Sequence, residues 1–129
     1  MPDTGFRDER TAKRRVCIIG AGVSGLVAAK VFAAAGREIV VVLTEIPCGV
    51  ESGWHIHPGE EVGYILEGTV EMMIKDESTL TLHSGDGFLI PPDTPHNALD
   101  VGPDAGQMLS TYLVAPGAPL ATFVDPPPT

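Results

Sequence analysis

The sequence predicts a mainly β fold, an antiparallel sandwich or small barrel of about seven short strands, with a short N-terminal α-helical (or βα) extension. Three observations predict it. From residue 38 onward, apolar and polar residues alternate with period two, and clusters of Gly, Pro, Asp and Ser interrupt them at close intervals. The same region shows no helical period. The chain has 129 residues, 43% of them hydrophobic, which suits one globular domain with one core and argues against global disorder.

The extension comes first in the chain. Residues 1–36 contain "VCIIGAGVSGLVAAKVFAAA", where Gly20, Gly22 and Gly25 form a G-x-G-x-x-G stretch between a β-like and a helix-like run. Three readings of it compete. The stretch resembles the opening of FAD-binding proteins, with Glu45 placed as a ribose-binding acid, but one βαβ unit is too little protein to hold a dinucleotide. Lys13, Arg14 and Arg15 before an apolar run and a small-residue "AAAG" suggest an export signal, though acids in the basic region and Lys30 in the apolar one speak against it. The reading preferred here is a packing helix over residues 23–35, from the spacing of Val23, Leu26, Val27, Val31 and Phe32 and the run of alanines. Lys30 and the glycines also argue against a membrane span.

The barrel is expected over residues 37–124, with residues 125–129 as a disordered tail. "EIVVVLTEI" is a β-branched run that Pro47 and Gly49 end. "EVGYILEG" and "TVEMMIKD" read as strands around Glu67-Gly68, a hairpin-type turn. "TLTLHS", "FLI" and "QMLSTYLVA" are further strands, and "PPDTPH" is a loop because three prolines do not fit a central strand. Alternation points Val70, Met72, Ile74, Phe88 and Ile90 inward and puts Gly63 and Ile65 on the face of Glu61; "QMLSTYLVA" can be read in either parity.

Charge divides the chain near residue 37. Residues 1–37 carry Arg7, Arg10, Lys13, Arg14, Arg15, Lys30 and Arg37 against Asp3, Asp8 and Glu9, a net +4. Residues 38–129 carry Lys75 against 14 acids, a net −13. Such an acidic barrel is a poor partner for nucleic acid. Cys17 and Cys48 make neither a disulfide framework nor a C-x-x-C pair.

The polar residues of the barrel carry its chemistry. His55 and His57 alternate on one strand and share a face, Glu61 follows after Pro58-Gly59, and His96 closes the proline loop. Three imidazoles and a carboxylate suit one divalent transition metal (Fe, Mn, Ni, Co, Cu or Zn) and leave coordination positions open. His83 reads as a surface residue. The pocket is otherwise apolar, without a further general base, which favours metal-centred chemistry on a small organic molecule and equally fits a ligand-binding pocket without turnover.

"GWHIHPGEEVGYILEG" resembles the first cupin motif, an H-x-H, a three-residue gap, Glu61 and six residues to Gly68, with Gly49 five positions clear of His55. "GDGFLIPPDTPHN" resembles the second, with Gly85, Pro91 and His96 in place, while Asp93 stands for a glycine and Asp100 for an asparagine. Small single-domain cupins of the quercetin-dioxygenase-like kind are most similar. The resemblance implies a jelly-roll barrel, His55, His57, Glu61 and His96 as metal ligands, and oxygenase- or isomerase-type chemistry on a small-molecule ligand. A non-catalytic metal- or ligand-binding module is the alternative. The resemblance also implies a homodimer; the expected location is the cytoplasm, or outside it if the N-terminal segment is an export signal.

Overall fold

The alternating segments fold as strands of two antiparallel sheets. The structure, a computed structural model, describes residues 15–16, 25–34 and 36–128. In chain order the strands are β1 (Arg15–Val16), β2 (Gly25–Ala34), β3 (Arg37–Ile46), β4 (His55–Ile56), β5 (Gly59–Glu67) and β6 (Thr69–Ile74). They continue as β7 (Leu80–His83), β8 (Gly87–Ile90), β9 (His96–Asp100), β10 (Gly106–Val114) and β11 (Thr122–Phe123). One sheet runs β1-β2-β3-β10-β5-β8 and the other β11-β4-β9-β6-β7. No helix occurs among the described residues, and the architecture is that of a jelly-roll β fold.

The core fills the space between the sheets. Val70, Met72 and Ile74 from β6 and Phe88 and Ile90 from β8 are buried, as their alternation predicts, together with Ile46, Ile65, Leu82, Ala98 and Met108. A second cluster joins Val40, Val42, Tyr112 and Val114, with Leu120 packed against it. This settles β10: Met108, Ser110, Tyr112 and Val114 face in, and Leu109 faces out. The alternation is uninformative there because apolar residues lie on both sides of the strand.

Two expectations are corrected. Of the helix expected over residues 23–35, the described part, Gly25–Ala34, is instead strand β2, antiparallel to β3 at nine positions from Gly25↔Glu45 to Ala34↔Arg37. Gly36, at φ 73°, turns the chain between them. A helix of this length gains little on its own, whereas the open edge of β3 offers a ladder that Val31 and Phe32 suit as β-formers. Gly20 and Gly22 of the glycine stretch lie outside the described residues, and Gly25 opens a strand where a dinucleotide-binding unit needs a helix. The second correction is at Glu67-Gly68. β5 pairs with β10 and β8, and β6 with β9 and β7, so this turn is no hairpin but carries the chain from one sheet to the other. Gly68, at φ 84°, sits where an added Cβ would lie 2.8 Å from Gly106 Cα, so only glycine suits the crossing.

Candidate metal centre

Two cross-strand pairs face each other through the barrel. On one sheet β4 and β9 set His55 opposite His96. On the other, β5 and β10 set Glu61 opposite Tyr112. His57 follows β4 directly and completes the group from the chain's own turn into β5. The ring centroids of His55 lie 4.2 Å from His96 and 4.8 Å from His57, and those of His57 and His96 are 4.9 Å apart. The ligand atoms of the three histidines all fall within 4.8 Å of one another. Glu61 Oε1 approaches His57 Nε2 at 3.2 Å and His96 Nε2 at 3.3 Å. His57, Glu61 and His96 are buried, and His55 is half-buried at the open side.

Backbone carbonyls fix all three rings. His55 Nδ1 donates to Gly53 O at 2.6 Å, His57 Nδ1 to Leu120 O at 2.7 Å and His96 Nδ1 to Thr94 O at 2.9 Å. A carbonyl only accepts, so each Nδ1 carries a proton and Nε2 is the ring atom left to face the centre. The Nε2 atoms of His57 and His96 are buried without a hydrogen-bond partner. They face the carboxylate oxygen of Glu61 without making a hydrogen bond to it, and buried polar atoms left without a partner cost energy in a dry interior. A divalent cation among these atoms would satisfy every one of them, so the residues present fit the metal the sequence predicts.

The electrostatics point the same way. Burial, followed by the charge of His96, lowers the pKa of His55 from 6.5 to about 4, so the ring is neutral at pH 7. For Glu61, burial is the largest influence and pushes its pKa up, but the contacts with His57 and His96 together outweigh it and hold it well below the usual carboxylate range. A neutral His55 and an ionised Glu61 are in the forms that bind a metal.

The four residues singled out in the sequence are therefore brought together, while His83 lies exposed on β7, apart from them. Sequence reasoning missed three supports. Tyr112 donates its hydroxyl to Glu61 Oε2 at 3.1 Å and lays its ring 4.5 Å from that of His57. Burial, then the charge of Glu61, pushes the Tyr112 phenol well above its ordinary pKa. Asn97, buried beside His96, accepts from Gly53 N at 3.0 Å and donates to Glu51 Oε2 at 3.1 Å, fixing the loop that orients His55. Leu120 meets His57 through its backbone carbonyl, for which no sequence signal exists.

Residues 42–112 match the sequence profile of a family described as Cupin domain. Among curated proteins none matches the chain. A conserved protein of unknown function from Streptococcus pyogenes is 28% identical at a TM-score of 0.55, over 70% of this chain and 75% of that one. An RmlC-like cupin from Shewanella frigidimarina is 22% identical at a TM-score of 0.59, over 81% and 87%. An oxalate oxidase is 23% identical at a TM-score of 0.58, over 67% of this chain but 46% of its own; at these two identities the likeness is one of fold. With the family profile spanning more than half of the chain, from Val42 on β3 to Tyr112 on β10, the protein belongs to the cupin family.

Proposed function

We propose that His55, His57, Glu61 and His96 hold one divalent transition metal and that the protein uses it for oxygenase- or isomerase-type chemistry on a small organic molecule. The observation that carries this reading is the pair of buried, unpartnered Nε2 atoms aimed at a carboxylate oxygen, with every Nδ1 already committed to a carbonyl. When bound, the metal supplies Lewis acidity or electron transfer at coordination positions that four protein ligands leave open. The chain itself does the positioning. The Nδ1–H bonds hold each ring in the ligating tautomer. Ile90, paired with Glu61, and Ile74, paired with His96, wall the site with apolar surface that excludes water and suits the hydrocarbon part of a substrate.

A non-catalytic metal- or ligand-binding module is favoured by one observation. Apart from Tyr112, the described buried polar side chains are His57, Glu61, His96, Asn97, Asp100 and Ser110, and the one base among them outside the ligand set, Asp100, lies at the other end of β9 from His96 and accepts from Gly102 N. Metal analysis of purified protein tests the common ground: about one equivalent of a transition metal is expected, and none after reconstitution would sink the ligand assignment. Turnover screens on small organic acids and phenols, with His57→Ala as control, then separate enzyme from binder. A homodimer belongs to the same proposal and is supported by exposed Val62, Tyr64, Leu89 and Leu109, which adjoin on the outer face of the six-stranded sheet. A monomer mass by light scattering at micromolar concentration would remove it.

A further inference from the structure

The two oxygens of Glu61 are not equivalent. Oε1 faces the Nε2 atoms of His57 and His96, whereas Oε2 accepts the hydroxyl of Tyr112 at 3.1 Å. Tyr112 is placed for this by the ladder: β10 sets it directly opposite Glu61 on β5, both side chains point inward, and both are buried. The contact is over-determined. The Tyr112 ring also packs at 4.5 Å and 60° on His57, and its other side lies in the cluster of Val40, Val42 and Val114. One side chain thus fixes the carboxylate and the imidazole at once.

We propose that Tyr112 is a positioning residue that holds Glu61 as a one-oxygen ligand: by occupying Oε2, it commits Oε1 alone to the metal and keeps a coordination position free for an incoming molecule. This rests on the metal reading above. A carboxylate free to rotate can bind a metal through both oxygens, filling an open position, or swing away from it. The hydrogen bond from the Tyr112 hydroxyl opposes both options, because a buried Oε2 that leaves Tyr112 gives up the one hydrogen bond described for it. Ser110, two residues before Tyr112 on the same inward face, has its hydroxyl buried without a hydrogen-bond partner.

The test is cobalt(II) titration of the full-length chain, read by visible absorption, for the wild type, Tyr112→Phe and His57→Ala. Tyr112→Phe keeps the ring and its packing and loses only the hydroxyl. The expected result is cobalt affinity lower by about 10- to 100-fold, with a changed visible spectrum reporting a different coordination number. Affinity within about twofold of wild type and an unchanged spectrum would overturn the proposal, because a purely structural tyrosine leaves both where they were. If the wild type itself takes up neither cobalt nor zinc, the metal reading fails and this inference with it; if the wild type binds and Tyr112→Phe is indistinguishable, only this inference fails. Should Tyr112→Phe not fold, a crystal structure of cobalt-loaded wild type decides. Oε1 alone at about 2.0–2.2 Å from the ion, with Oε2 still on Tyr112, is expected. Both oxygens on the ion, or neither, would overturn it.

Discussion

Asn97 shows how much of the centre depends on residues that touch no metal. Its carboxamide accepts from Gly53 N and donates to Glu51, and Gly53 O in turn accepts the Nδ1–H of His55. Asn97→Ala should cost about 1–3 kcal/mol in urea unfolding, since buried donors and acceptors lose their partner, and should weaken cobalt binding through His55. An unchanged affinity would mean that His55 holds its pose without the loop. A pH dependence follows from His55 itself. Its pKa falls from 6.5 in the unfolded chain to about 4 in the fold, so between these values the unfolded state binds more protons. Stability of the metal-free protein is therefore full above about pH 6.5 and declines as pH drops toward 4, and His55→Ala should flatten that part of the urea-midpoint profile. The ligands were legible because H-x-H, Glu61 and His96 have fixed spacing. Tyr112 was not, because its strand is apolar on both faces and only the register shows that it meets Glu61.

At the scale of elements, two segments make separable predictions. β2 covers one edge of β3 and contributes nothing described to the metal centre. Deleting residues 1–35 should leave metal stoichiometry unchanged while exposing an edge of β-branched residues, so light scattering should show larger species than the full chain gives. Loss of metal binding on that deletion would show that the extension reaches the site. The segment after β10 behaves oppositely. Leu120 O accepts from His57, Val124 N donates to Trp54 O, and β11 pairs with β4, which carries His55. Removing residues 116–129 should lower cobalt affinity by about tenfold or more, because His57 loses the acceptor that fixes its tautomer. Two glycines within β5 differ in what they tolerate. An added Cβ at Gly63 meets the Phe88 ring, which can shift, whereas at Gly59 it meets the Leu113 carbonyl of the paired strand, which cannot move without breaking the ladder. Gly59→Ala should therefore destabilise more than Gly63→Ala, whose overpacking costs about 1–3 kcal/mol. The strands from residue 37 on were legible from alternation. β2 was not, because its alanines and spaced apolar residues fit a helix equally, and the choice was made by the edge of β3.

For the whole molecule the main asymmetry is electrical. Residues 38–129 hold one lysine against 14 acids, and the barrel they form surrounds a candidate cation site. Such a field concentrates divalent ions near the mouth and speeds their capture, an effect screened over about 10 Å at 0.1 M salt. Stopped-flow cobalt association should slow as ionic strength rises while dissociation changes little; salt-independent association would place the charge too far from the site to act. The hydrogen bond from His57 to Leu120, which spans 63 residues, has a further meaning in time. On the ribosome His55, His57, Glu61 and His96 all emerge before the residue that locks the His57 ring. The centre cannot reach its final ligand geometry until the chain has been made through Leu120, so a protein cut before that residue carries the ligands without the finished grip on an ion.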